Sequence, residues 1–364
     1  MINTEVAVIG GGPAGLNAAI AAAEQGAKVV LLERDGFLGG QLNKQTHMFF
    51  GSEKQHAASR GMDISKLLQK ELEKHKDNIK ILKNATAIGL YEDRVLTVEH
   101  EGKYLKVKPE VIVMCTGASE KFLAFPNNDL PGVYGAGAVQ TLMNLYGVLP
   151  AKNVVMVGAG NIGLIVSYQL MQAGVKVKAI IDAAPNIGGY LVHAAKIRRM
   201  GVPIMTATTV KAAHGTDMLT GVTLVDLDEK WQPIPGSEKE IDCDCLCIAV
   251  GLSPLTELLW QIGCEMKYVP QLGGHVAARN EYMETTQKNI FVAGDTAGVE
   301  EASAAMVEGR LAGLGAAGAL GHKTNEHNAL VDDCIKQLNA LRSGASGEKI
   351  RSGLKLIAKE GAKL

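Results

Sequence analysis

The chain has 364 residues, 47% of them hydrophobic and 21% charged, which is enough to bury two cores, and its formal net charge is −1. That balance offers no global field for nucleic acid or an anionic membrane, so no nucleic-acid partner is expected. No apolar run approaches the roughly 20 residues that span a bilayer, and no basic leader precedes the first strand pattern. A cytoplasmic address without integral membrane contact is therefore expected.

The chain opens with EVAVIG, a β-branched run, then a glycine turn and a helix, and residues 5–33 are matched by residues 153–182 in the same order. This is a βαβ unit written twice, and its uninterrupted apolar runs predict parallel strands covered on both faces. In the first copy Gly10, Gly12 and Gly15 fall where a turn is tight, where backbone must approach a pyrophosphate, and where helix and strand pack closely. Pro13 and Ala14 open the helix, whose N-terminus favours negative charge, and Glu33, followed by Arg34, ends the next strand where a carboxylate accepts from ribose hydroxyls.

Residues 39–61 form a polar loop containing Gly40 and Gln41, with His47, Phe49 and Phe50 either closing over a ligand or standing by chance on a surface loop. A helical pattern follows at 64–76, short strands at 78–91 and 94–108, and then the separate buried run VIVMCTG ending in Thr116 and Gly117.

The second copy carries Gly158, Gly160 and Gly163, with Asn161 and Ile162 between them, and Asp182 as the acid. Ala183, Ala184 and Pro185 follow with no arginine to receive a 2′-phosphate, so NAD(H) is favoured over NADP. ATP, ADP or a second FAD are alternative occupants, and a structural fold that has lost its ligand is another reading. Strand patterns at 202–214, 219–228 and 242–251 close this half at Gly251. His193, Arg198 and Arg199 fall on a helix after Asp182, and a helix-surface role is preferred there over contact with nicotinamide or phosphate.

The six cysteines, at 115, 243, 245, 247, 264 and 334, form no CxxC, and no metal site is expected. Cys243, Cys245 and Cys247 alternate with period two, which puts their sulfurs on one strand face. Buried apolar packing is preferred there over a metal or redox role. The block 289–321 is a strand, a turn with Gly294 and Asp295, and an alanine-rich helix. In the remaining residues Leu330, Val331, Ile335, Leu338 and Leu341 mark one helix; a second carries Arg351, Lys355, Lys359 and Lys363 opposite Ile350, Leu354 and Ile357. A docked or solvated helix is preferred there over a membrane-surface one.

These motifs resemble the flavoproteins that carry two dinucleotide-binding domains, over residues 1 to about 320. The resemblance implies an α/β fold of two Rossmann-like domains. An FAD domain at 1–120 and 285–322 is interrupted by an NAD(H) domain at 121–284, and a short helical tail occupies 323–364. It assigns Thr116 and Gly117 to the sequence that ends the first half, Gly294 and Asp295 to the flavin's ribityl and pyrophosphate region, and Gly39 to Gln41 to the loop of the thioredoxin-reductase branch beside the isoalloxazine. The stretches 201–215, 231–258 and 262–295 are also similar to the alpha chain of dye-linked L-proline dehydrogenase and to subunits of opine oxidase and of hydrogen cyanide synthase. That likeness implies a partner in the form of a second flavoprotein dehydrogenase subunit. Any iron–sulfur cluster must sit on a different polypeptide, an iron–sulfur subunit, since the tail holds only Cys334.

Hydride transfer between nicotinamide and flavin needs little side-chain acid–base chemistry, so no catalytic base is assigned. Without a cysteine pair, reactions that pass electrons through a protein disulfide are disfavoured. Three readings follow. One is an FAD-dependent oxidoreductase subunit that exchanges electrons between NAD(H) and a partner dehydrogenase acting on an amino acid, imino acid or amine. Another is a stand-alone NADH-dependent reductase or oxidase of a small acceptor. The third is a nucleotide-binding relay or assembly subunit without nicotinamide chemistry.

Overall fold

The computed structural model describes residues 1–49, 52–344 and 347–358, so Phe50, Lys359 and Lys363 lie outside the described residues. The chain divides into two compact units, Met1–Ser119 with Leu252–Leu364, and Glu120–Gly251.

In the first unit β1 (Ile2–Ile9) runs into α1 (Pro13–Glu24), then β2 (Val29–Leu32), α2 (Gly61–Glu73) and β3 (Ile79–Leu82). The three strands are parallel, and β2 is buried along its whole length, as its VVLL sequence requires of a strand covered on both faces. Then β4 (Ala85–Leu90), β5 (Leu96–His100) and β6 (Lys103–Met114) complete the order β3-β2-β1-β6-β5-β4. The residue pattern predicts one strand ending at 108 and another starting at 111, yet β6 passes unbroken through Pro109. One edge of β6 pairs with β5 as far as Val107 and with a later strand from Ile112 onward, so Pro109 sits where that edge needs no amide.

The chain leaves this unit through β7 (Ala118–Glu120). The second unit holds β8 (Val133–Gly135), α3 (Ala136–Tyr146), β9 (Asn153–Val157), α4 (Asn161–Gln172), β10 (Lys176–Ile181), α5 (Leu191–Arg199) and β11 (Ile204–Met205). An antiparallel set follows, β12 (Thr208–Gly215), β13 (Leu219–Asp226) and β14 (Lys239–Asp242), before β15 (Cys245–Ile248) returns to the parallel sheet, ordered β11-β10-β9-β15-β8. Cys245 and Cys247 share a core with Val154 and Met156, but Cys243 packs in the other core, with Val133, Val155 and Leu246. The expected common face fails for Cys243 because β15 begins only at Cys245, after a bend at Asp244.

Back in the first unit come β16 (Leu252–Pro254), α6 (Glu257–Gln261), β17 (Met266–Val269), β18 (Gly274–Ala277), β19 (Ile290–Val292), α7 (Ala302–Ala319), α8 (His327–Leu341) and α9 (Glu348–Ile357). The sequence places a domain boundary at 284, while the compact units divide at Gly251. Leu258, Leu259 and Cys264 lie in the first unit's core, and the Gln261 side chain accepts the Leu90 amide at 2.8 Å. The tail, expected as a separate segment, packs on this unit too. Leu338 and Cys334 join its core, and Leu354 and Ile357 of α9 close on Val269, Leu272 and Val276. No helix among the described residues is long and apolar enough to cross a membrane.

Candidate functional site

The first glycine turn joins β1 to α1. A Cβ on Gly10 would stand 2.2 Å from the Cys115 carbonyl oxygen at the end of β6, and one on Gly15 would stand 1.7 Å from the Gly10 carbonyl oxygen. Both positions are therefore glycine for the protein's own packing. Glu33 reaches back from the end of β2. Its Oε2 accepts the Gly11 amide at 2.6 Å and its Oε1 accepts the Asp35 amide at 2.8 Å, while burial pushes its carboxyl above the usual range against the pull of those amides. Each oxygen keeps lone-pair capacity for a further donor.

The second turn repeats this geometry. A Cβ on Gly158 would lie 2.3 Å from the Ala249 carbonyl oxygen, and one on Gly163 would lie 1.9 Å from the Gly158 carbonyl oxygen. Asp182 accepts the Ala159 amide at 2.7 Å and the Ala184 amide at 2.9 Å, the counterparts of Gly11 and Asp35. The correspondence continues beyond the two acids. LGGQL at 38–42 and IGGYL at 187–191 stand equally far beyond their acids. The amide of Gly39, the first glycine of its pair, donates to Gly11 at 2.8 Å, and that of Gly189, the second of its pair, to Ala159 at 2.9 Å, so each GG loop folds over its own glycine turn with a one-residue offset between the copies. Aligning the two βαβ copies past Glu33 and Asp182 would have shown it.

Gly12 and Gly160 answer whether a ligand fits. Both have ordinary extended backbone, at φ −77° and −75°, which any residue adopts. A Cβ on Gly160 meets nothing within 4 Å, and one on Gly12 comes no nearer than 4.0 Å to Gly40. Neither glycine is needed by conformation or by the protein's packing. Each faces open space at the N-terminus of α1 or α4, where a pyrophosphate would approach backbone amides. Residues Gly10 to Gly15 with Glu33, and Gly158 to Gly163 with Asp182, thus have the shape and donor set for one dinucleotide in each unit.

Pro13 is the first residue of α1, and Ala14 packs under α7. Arg34 and Gln41 are exposed, and Ile162 stands 43% exposed on α4. Asn161 begins α4 and accepts the Tyr190 amide at 2.8 Å. Thr116 donates to the Leu255 carbonyl at 2.6 Å and lies 3.1 Å from the Thr296 hydroxyl, which accepts the Gly117 amide at 2.7 Å. Gly251 holds the place in the second unit that Gly117 holds in the first, two residues past the carbonyl against its glycine turn, and its own carbonyl accepts the Lys121 amide at 3.0 Å. The Gly294 amide donates to the buried Glu308 at 3.0 Å. Burial, aided by the Glu308, Glu300 and Glu301 carboxylates and opposed by the Glu300 amide, pushes the neighbouring Asp295 carboxyl up to about 7. Thr296 and Glu308 were missed by sequence reasoning, and only the adjacency of Thr296 to the GD pair pointed to either. His193 is half-buried on α5, with burial lowering its pKa, and Arg198 and Arg199 are exposed on the same helix. His47 and Phe49 stack on one another at 5.8 Å.

All six cysteines are buried and free, with no disulfide among them. Burial and neighbouring carboxylates push the Cys243 thiol up to about 12, burial does the same at Cys245, and Cys115 and Cys247 are raised for the same reason.

Among known proteins, hydrogen cyanide synthase subunit HcnB of Pseudomonas protegens is 27% identical over 324 residues, 84% of this chain and 69% of the relative. An opine oxidase subunit of Agrobacterium tumefaciens is 28% identical over 86% of this chain and 65% of the relative. The crystal structure of L-proline dehydrogenase from P. horikoshii shares the fold, with a TM-score of 0.67 at 22% identity, over 91% of this chain and 59% of that one. Residues 4–309 match the family described as pyridine nucleotide-disulphide oxidoreductase, and the chain belongs to that family of FAD- and NAD(P)-binding oxidoreductases.

Proposed function

We propose that the chain is an FAD-dependent oxidoreductase subunit that exchanges electrons, in the cytoplasm, between NAD(H) and a partner dehydrogenase that acts on an amino acid, imino acid or amine. The observation that supports the two-cofactor part is the pair Gly12 and Gly160, glycines that neither backbone conformation nor contact with protein atoms requires. In this reading Gly10 to Gly15, Glu33, Arg34, Gly40, Gln41, Thr116, Gly117, Gly294 and Asp295 hold FAD. Gly158 to Gly163, Asp182 and Gly251 hold NAD(H). The bound flavin and nicotinamide would themselves supply the hydride chemistry. The chain's residues supply helix N-terminal amides for phosphate and carboxylates, at Glu33, Asp182 and Asp295, for ribose and ribityl hydroxyls.

The partner part rests on two relatives that are each named as one subunit of a larger enzyme, hydrogen cyanide synthase in one case and opine oxidase in the other. Six buried thiols favour this reading over transfer through a protein disulfide.

The test is an anaerobic titration of the purified chain with NADH, following absorbance near 450 nm and identifying bound nucleotides after denaturation. One FAD bleached stoichiometrically, with slow turnover until a dehydrogenase partner is added, supports the proposal. Rapid turnover of a small acceptor by the chain alone points to an autonomous reductase. Flavin that stays oxidised beside a retained second nucleotide replaces the proposal with a relay role.

A further inference from the structure

We infer that Arg342, beyond the family match and at the end of α8, is a positioning residue for the first dinucleotide site. Its guanidinium holds, through Glu300 and Glu308, the Gly294–Asp295 turn and the start of α7. The inference rests on the reading of the first unit as the FAD unit.

Arg342 grips Glu300 with two bonds, Nε to Oε2 at 3.0 Å and Nη2 to Oε1 at 2.7 Å, and Nη2 also reaches Glu308 Oε1 at 2.5 Å. Glu308 is 2% exposed, and its two oxygens do different work. Oε1 also accepts from Arg279, itself 1% exposed, at 3.0 Å, while Oε2 accepts the Gly294 amide at 3.0 Å. Gly294 is in the left-handed region at φ +71°, and a Cβ there would stand 2.8 Å from that of Ala14 on α1. Glu300 lies two residues before α7, and its backbone pulls the Asp295 carboxyl down against the rise caused by burial. One tail guanidinium therefore binds the carboxylate that fixes Gly294 and the acid that leads into α7.

Charge explains why the tail is needed. Glu308 and Glu300 together carry two negative charges in a place nearly closed to water, and of these two acids Arg279 bonds Glu308 alone. A buried carboxylate left without its cation is strongly unfavourable. The tail supplies the second cation on prepared backbone. Arg351 of α9 donates to the carbonyls of Arg342 and Gly344, and Gly347 passes so close that a Cβ would lie 1.9 Å from the Arg342 carbonyl oxygen. An incidental surface pair would not be braced in this way.

The experiment compares the whole chain with R342M, R342K and E300Q. It measures FAD dissociation constants by reconstitution, the flavin midpoint potential, and folding by circular dichroism. R342M should bind FAD about tenfold more weakly or worse, equivalent to about 1.4 kcal/mol, and its flavin potential should move to more negative values because a cation is lost. R342K should recover part of both. E300Q removes a negative charge instead and should move the potential the opposite way, a sign reversal that general loosening would not produce. If R342M fails to fold, the signed shifts of R342K and E300Q decide. Wild-type affinity and potential in folded variants, or shifts of one sign in R342K and E300Q, overturn this inference alone. A wild-type chain that takes up no FAD overturns the first-unit reading, and this inference with it.

Discussion

A Cβ added to Gly309 on α7 would stand 2.1 Å from the carbonyl oxygen of Ala14 on α1, and four residues on, Gly313 meets Ala18 in the same way at 2.3 Å. The two helices touch backbone to backbone, and α1 is the helix that the first glycine turn opens. Gly309→Ala should therefore lower stability by about 1–3 kcal/mol through overpacking and weaken FAD retention along with it. Urea unfolding of the variant measures the first effect; an unchanged midpoint would show that the helices can part without cost.

Gly160→Ala should separate binding from folding. Since the added methyl meets no protein atom, stability should change by only about 0.5 kcal/mol, the scale of an N-cap exchange, while NADH affinity falls about tenfold or more. Gly163→Ala should do the reverse, unfolding the unit before binding can be measured. Calorimetric titration beside thermal unfolding checks both, and equal NADH binding by Gly160→Ala and wild type would remove the ligand explanation for that glycine.

Asp182 accepts two amides and should also discriminate against a 2′-phosphate by charge. Asp182→Asn keeps one acceptor and removes the charge. It should retain most NADH binding and narrow the preference for NADH over NADPH. Asp182→Ala should lose roughly ten- to a hundredfold in NADH affinity, the range expected for a hydrogen bond to a charged group. Kd values for the two nucleotides decide; a preference for NADPH already present in the wild type would refute the assignment.

Asp295 predicts a pH dependence. Its carboxyl is held up to about 7 in the folded chain, chiefly by burial, against about 4 when unfolded, so the folded state prefers it protonated. That contribution is fully present below about pH 4 and is lost as pH rises through about 7. In the flavin-free protein, the urea midpoint of wild type should therefore fall relative to Asp295→Asn across this window. Parallel curves would mean that the carboxyl titrates normally.

The buried thiols should be silent. With Cys243 and Cys245 pushed up to about 12, the folded protein should show no thiol reacting rapidly with a disulfide reagent at pH 8. All six should appear in denaturant. NADH-dependent flavin reduction should survive prior alkylation, and its loss would reopen a cysteine route.

The parts legible in sequence were those in which one residue type serves one local demand. Gly10, Gly15 and Glu33 are written close together, and the structure puts their spacing to use within a single turn. The GG loop of the second unit escaped notice because Tyr190 replaces the glutamine that makes the first resemble a known loop. That residues 252–284 pack with the first unit is not written in the sequence, because Leu258 and Cys264 carry no mark of which core receives them. Nothing local in the sequence marks Glu308 as buried. Its partners Arg279 and Arg342 lie 29 and 34 positions away, and no periodicity encodes a pairing of that range.

The placement of β19 has a consequence for synthesis. The second unit is one continuous stretch, so all its strands leave the ribosome together, whereas the first unit must wait for residues 290–292 to cover the edge of β6 at Ile112–Met114. During that interval an apolar strand edge stands open, the kind of surface that pairs wrongly with other chains. Pro109, just before the open edge and unable to donate to any ladder, limits how far a misplaced strand can extend along it.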